Sequence, residues 1–167
     1  MLVRVSSEPS RHRVAVWREL RRFGAVPVGR GAWTAPDVPV CREGTEKAKQ
    51  LAHAGAGELL VLPTGPDGDA TRLRELFTAA RADEWTEFIA DCGKFTDQIG
   101  REIAKKKFTL AELEKAEQGL DRLRRWFGAV RVRDVFGSPA AQSAGQELTT
   151  CSEALDGFAA LVYGEVH

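Results

Sequence analysis

The chain has 167 residues, 24 basic against 24 acidic side chains for a formal net charge of zero, and 43% hydrophobic residues. That supports one domain, or a small domain with a helical appendage, and no apolar run approaches the roughly 20 residues that cross a bilayer. The start, a strand-prone LVRV directly after Met1, has none of the basic, apolar and small-residue zones of a secretion signal, so a cytoplasmic protein is expected.

After the short strand at residues 2–5, Ser7 offers an N-cap, and Glu8 and Pro9 suit the first turn of a helix. Residues 11–23 show helical spacing. Val16, Trp17, Leu20 and Phe23 form the expected apolar stripe, and Arg11, Arg18 and Arg22 recur on another face before Gly24 ends the helix. Residues 25–29 and 32–35 read as two strands around the turn Gly29–Arg30–Gly31. Pro36, Asp37 and Pro39 mark a loop, 43–54 a helix, and GELLVLP contains LLVL as a buried strand.

This β-α-β-β-α-β order is that of a ferredoxin-like unit, expected over residues 1–66 and closed by the turn signal Gly65–Pro66–Asp67–Gly68. Residues 67–167 read as helical. Asp69 caps a short helix to Ala80, and a longer one over 83–107 carries Trp85, Phe88, Cys92, Phe95, Ile99 and Ile103 at steps of three and four. Thr109 with Glu112 forms a capping box ahead of the stripe Leu110, Leu113, Ala116, Leu120, Leu123 and Phe127. A last helix presents Ala141, Ala144, Leu148, Cys151, Leu155, Phe158 and Val162. The fold class expected is therefore α+β, a ferredoxin-like unit followed by an antiparallel bundle of long helices.

The zero net charge conceals segregation. Residues 1–36 hold seven Arg against two acids, residues 37–100 seven basic against twelve acidic side chains, residues 101–133 ten against five, and residues 134–167 five acids with no Lys or Arg. Two basic blocks can build one nucleic-acid-facing surface, or pair with the acidic blocks within the molecule or across a dimer. Exposed strand edges and apolar helix faces predict a homodimer.

Three groups of residues carry candidate chemistry. At the start of the first helix, free backbone N–H groups and the helix dipole favour an anion. Ser7, Ser10, Arg11 and His12 are the oxyanion candidates there, with Arg13 adjacent; an ordinary capped helix with solvated arginines is the alternative. Arg11, Arg13, Arg18 and Arg22, with Arg30 in the hairpin, form a phosphate-binding face, or a solvated face that meets an acidic block. Arg122, Arg125, Arg131 and Arg133, near Arg124 and Lys105–Lys107, are the third group; Trp126 and Phe127 beside them suit a core, and Arg131 or Arg133 could hold the turn through Asp134. No helix-turn-helix or zinc finger supplies base reading, and no P-loop, dinucleotide fingerprint or G-x-S-x-G supplies catalysis. Cys41, Cys92 and Cys151 are scattered, and His12, His53 and His167 lack partners at ligand spacing, so neither a metal nor a cofactor is expected, and no enzyme activity.

The stretch LRRWFGAVRVRDVFGSP at residues 123–139, together with SEPSRHRVAVWRELRRFGAV at residues 7–26, resembles the N-terminal region of the chromate-resistance regulator family ChrB, over about residues 2–163. More distantly the plan is similar to PaaX-like regulators and to ferredoxin-like nucleases of CRISPR systems. The latter place a metal-binding acid at the end of the first strand, where this chain has Ser6 and Ser7. The resemblance implies a DNA-binding transcriptional regulator acting at the operator of a chromate-resistance operon, with chromate as the modulating oxyanion. Longer members carry a C-terminal domain beyond the region matched here, which raises a separately encoded partner as an expectation. The rival from another class is a non-enzymatic interaction module or accessory subunit.

Overall fold

The computed structural model describes residues 1–6, 8–65 and 68–166. The chain is α+β and mostly helical. Its elements run β1 (Leu2–Arg4), α1 (Ser10–Arg22), β2 (Val26–Gly29), β3 (Ala32–Thr34), α2 (Pro39–Ala54), β4 (Glu58–Leu60), α3 (Gly68–Ala104), α4 (Leu110–Arg133) and α5 (Ala140–Val166). It packs as two compact units, Met1–Ala80 and Arg81–His167, so the division falls inside α3, whereas the sequence suggested a break at residue 66. No helix among the described residues is long and apolar enough to cross a membrane.

In the first unit the four strands form an antiparallel sheet in the order β2-β3-β1-β4. Strand β1 pairs with β4 in the register Leu2↔Leu60, Val3↔Leu59, Arg4↔Glu58. The two-residue period of a strand puts Val3 and Leu59 on one face, and Leu59 joins Val16, Leu20, Phe23, Ala25, Trp33, Cys41, Ala48 and Ala52 in the core, with Val3 packed against them. Close approach of α1 and α2 depends on two glycines of α2 and its cap. A β-carbon at Gly44 would overlap the Phe23 ring, and one at Gly55 would stand 2.6 Å from His12 Cβ.

Several local expectations change here. Helix α1 begins at Ser10 after an extended Pro9, which has no side-chain oxygen to cap it; ahead of it the Ser6 hydroxyl donates to the Glu8 carbonyl at 2.8 Å and accepts the Glu8 N–H at 3.2 Å. The Ser7 cap, like part of the Gly65–Gly68 turn and His167, lies outside the described residues. Helix α2 starts earlier than expected, at Pro39, whose fixed φ suits a first helical turn. The LLVL segment is not a buried strand. Only Leu59 is buried; Leu60 falls on the opposite face of the sheet by the two-residue period, and Val61 and Leu62, beyond the end of β4, are exposed.

The second unit is built from α4, α5 and most of α3. The two helices expected over 69–80 and 83–107 are one continuous helix, since Ala79, Ala80, Arg81 and Ala82 are strong helix formers with no Gly or Pro among them. Helix α4 is capped as expected: the Thr109 hydroxyl accepts the Glu112 N–H at 3.3 Å. The core joins Trp85, Phe88, Cys92 and Ile99 to Leu113, Leu120, Leu123 and Val130 and to Ala144, Cys151, Leu155, Phe158 and Val162. Leu110, assigned to the α4 stripe, is exposed instead.

Asp134 fixes the turn between α4 and α5. One of its carboxylate oxygens accepts the Trp85 indole N–H at 2.8 Å and the Ser138 N–H at 2.9 Å, and the Ser138 hydroxyl in turn accepts the Ala140 N–H at 3.3 Å. Of the two partners expected for Asp134, Arg133 donates instead to Glu84 at 2.9 Å, and among the described residues no ion pair joins Arg131 to Asp134.

Candidate nucleic-acid interface

Helix α1 has two faces that differ in chemistry. Val16, Leu20 and Phe23 are buried. At about 100° per residue, Val14, Trp17, Arg18 and Arg21 fall on the opposite side. Trp17 therefore departs from the expected stripe: it follows Val16 by one residue, is carried round the helix out of the core, and is 51% exposed. Its ring meets that of buried Trp33 edge to face, with centroids 5.7 Å apart at 83°. The Arg21 guanidinium stands 5.0 Å from the Trp17 ring centre, within cation–π range. Arg13, Val14, Trp17, Arg18 and Arg21 together line an open groove of about 470 Å³.

Buried Glu19 engages two cations of this unit. Its carboxylate accepts Arg22 Nε at 3.0 Å and Nη2 at 2.6 Å, and Lys47 Nζ lies 3.7 Å away. Those hydrogen bonds from Arg22 hold the Glu19 carboxyl below its ordinary value, outweighing the opposing effect of burial. Arg22 is thus tied to the rim of the core and is not a free member of the arginine face. Among the described residues no ion pair engages Arg11, Arg13, Arg18, Arg21 or Arg30, and all five are exposed. Such an array of guanidinium groups beside an apolar ring can accept phosphates while the ring covers sugar or base.

The oxyanion candidates are only partly brought together. Ser10 and Arg11 are exposed at the first turn of α1, and Arg11 Nε donates weakly to His12 Nε2 at 3.4 Å. The His12 side chain is half-buried against Gly55 at the end of α2. Ser7 lies outside the described residues.

In the second unit Arg122 and Arg125 line a groove of about 590 Å³ between α3 and α4, floored by Phe95, Ile99, Leu123 and Phe158. Its rim also carries Asp91, Glu102, Glu112 and Asp121, so its charge is mixed rather than anion-attracting. Arg131 is exposed near the end of α4. Arg133, by contrast, is half-buried and committed to Glu84, which Arg81 also approaches at 3.0 Å. Its position in the sequence, beside exposed arginines, gave no sign of this.

The three cysteines are buried. Burial, followed by the neighbouring Cys151 thiol, pushes the Cys92 thiol up to about 12, and burial likewise raises Cys151. At neutral pH both are thiols rather than nucleophilic thiolates.

Sequence reasoning missed Trp17 and Arg21 as members of the α1 face. The signal was present in the spacing Val14, Trp17, Arg21, which lies opposite Val16, Leu20, Phe23, but an aromatic residue next to an apolar stripe was assigned to the core.

No curated protein and no solved structure matches the chain. Residues 13–167, nearly its entire length, match the family described as Protein ChrB, N-terminal, and the chain belongs to that family, which associates it with the regulation of chromate resistance.

Proposed function

We propose that this chain is a DNA-binding transcriptional regulator of chromate resistance, and that the outward face of α1 holds the DNA backbone. The observation that carries the reading is the division made by Glu19: it draws Arg22 and Lys47 to itself and leaves Arg13, Arg18 and Arg21 unpaired around exposed Trp17. Arg11 and Arg30 extend the positive surface of the same unit, and Arg131, exposed near the end of α4, is a secondary phosphate contact, whereas Arg122 and Arg125 line the mixed-charge groove. Arg133 is excluded by its ion pair with Glu84. We read the first unit as ferredoxin-like, supported by its element order and by the strand order β2-β3-β1-β4, and the three long helices as an antiparallel bundle. The reading assigns no reaction and places the chain with DNA in the cytoplasm, as a homodimer.

The test is a fluorescence anisotropy titration against the promoter duplex of its own operon at several salt concentrations. Sequence-preferring binding that weakens as salt rises supports the reading; no binding to any duplex at low salt rejects it. Response to chromate belongs to the same proposal, through Ser10 and Arg11 at the start of α1. Calorimetry with chromate should show weaker binding for Arg11→Ala, and unchanged binding removes that site. A second reading, an interaction module, is favoured by the mixed-charge groove between α3 and α4, whose apolar floor and alternating rim suit a helix of a partner protein.

A further inference from the structure

The groove between α3 and α4 carries both signs of charge, so it exerts little pull on a distant polyanion. Residue by residue, however, the balance is uneven. Each acidic side chain on its rim has a cation of its own: Asp91 takes Lys94 at 2.6 Å, Asp121 takes Arg124 at 3.4 Å, and Glu102 and Glu112 have Lys107 and Lys115 at 3.9 and 4.0 Å. Two of those cations, Lys107 and Arg124, come from outside the groove lining. Among the described residues no ion pair engages Arg122 or Arg125, and both are exposed. The groove therefore holds two guanidinium groups over and above its internal pairs.

These two stand together, because residues three apart on a helix share a side, here the α4 wall of the groove. The surface between the walls is apolar: Leu123 and Phe158 are buried, and Phe95 and Ala116 half-buried. Gly119 keeps the walls close at this level. A β-carbon there would stand 3.2 Å from Phe95 Cε2, so the missing side chain lets the Phe95 ring lie against α4. The volume of about 590 Å³ falls within the range of about 300–1,000 Å³ for small-molecule sites, which combine an apolar lining with a few convergent polar groups.

We propose that this groove binds a small organic anion: one carboxylate, sulfonate or phosphate group held by Arg122 and Arg125, on an aryl or acyl body that lies over Phe95 and Ala116. Guanidinium forks match the oxygens of such a group two at a time. The apolar floor selects the body, since a bare tetrahedral oxyanion leaves it unused and a DNA backbone brings nothing to fill it. The site is built from α3, α4 and α5 alone and does not rest on the DNA-binding reading of α1.

Anilinonaphthalenesulfonate, an aryl body with a single sulfonate, is the probe. Titrated with the wild-type chain at constant ionic strength, its fluorescence should rise to saturation. Arg122→Ala/Arg125→Ala should keep its circular dichroism and bind the probe at least about fivefold more weakly. Arg13→Ala/Arg18→Ala/Arg21→Ala, altered on the other arginine-lined groove, should bind it as the wild type does. Naphthoate should displace the probe, and sulfate at the same concentration should not. Equal affinity of the double variant, loss confined to the α1 variant, or displacement by sulfate as effective as by naphthoate would each overturn the site. So would the absence of any fluorescence gain with the wild type, which would leave the groove to a partner helix.

Discussion

Glu19 and Arg22 lie one turn apart on α1, and the carboxylate takes both Nε and Nη2 of the guanidinium while itself 5% exposed. This contact sorts the arginines of one helix into a structural one and a set facing solvent. Replacing Glu19 by Gln should cost about 1.5–3 kcal/mol, the range for hydrogen bonds to a charged group, as read by urea denaturation. Arg22→Ala should cost at least as much, because it takes both hydrogen-bond donors from a buried carboxylate and leaves Lys47, 3.7 Å away, as the neighbouring cation.

The same pair predicts an acid limb. Glu19 has a folded-state pKa below its ordinary value of 4.5, so its contribution is present above pH 4.5 and is lost as pH falls through the lower folded value. Chemical denaturation from pH 7 downward should show the stability gap between wild type and Glu19→Gln constant to about pH 5 and closing at more acid pH. A gap that widens on acidification would contradict the assignment.

Trp17 should matter more for binding than for folding. Trp17→Ala removes the support for Arg21, about 0.5–1 kcal/mol of cation–π contact at an exposed site, and leaves the core residues Val16 and Leu20 in place. Affinity for duplex DNA should fall about fivefold, equivalent to about 1 kcal/mol, with a change in melting temperature of only a few degrees. Intrinsic fluorescence should also be quenched on DNA addition in the wild type and not in Trp17→Phe.

The cysteines should be silent. With Cys92 pushed up to about 12 and all three side chains buried, a disulfide reagent at pH 8 should label less than one thiol per native chain and three after denaturation. Rapid labelling of a native thiol would show an opening of the second unit that the packing of Cys92 and Cys151 does not provide for.

Much of the architecture was legible because it rests on period and punctuation. Thr109 and Glu112 announced the start of α4, and the three-and-four spacing from Trp85 to Ile103 announced the buried face of α3. Where the reading failed, the deciding feature was a contact distant in sequence or the end of a strand. LLVL is a buried-strand pattern, but β4 ends at Leu60, which faces away from Leu59, so Val61 and Leu62 lie outside the strand. Arg133 looked like its exposed neighbours until Glu84, on another helix, was placed beside it. Trp17 is apolar enough for a core, but Val16 and Leu20 already occupy the inward face, and no local rule ranks one residue above its neighbour. Within the candidate site, the clustering of arginine on α1 was visible, while the removal of Arg22 by Glu19 needed the burial of that carboxylate.

The central claim concerns the outward arginines of α1, and the most direct measurement compares three proteins on one promoter duplex: wild type, Arg13→Ala/Arg18→Ala/Arg21→Ala, and Arg22→Ala. The account predicts that the triple variant keeps its circular dichroism but loses at least about tenfold in affinity, with a salt slope flatter by about one for each phosphate contact removed, and that Arg22→Ala binds as the wild type does. Equal affinity of the triple variant and the wild type, or loss confined to Arg22→Ala, would contradict it.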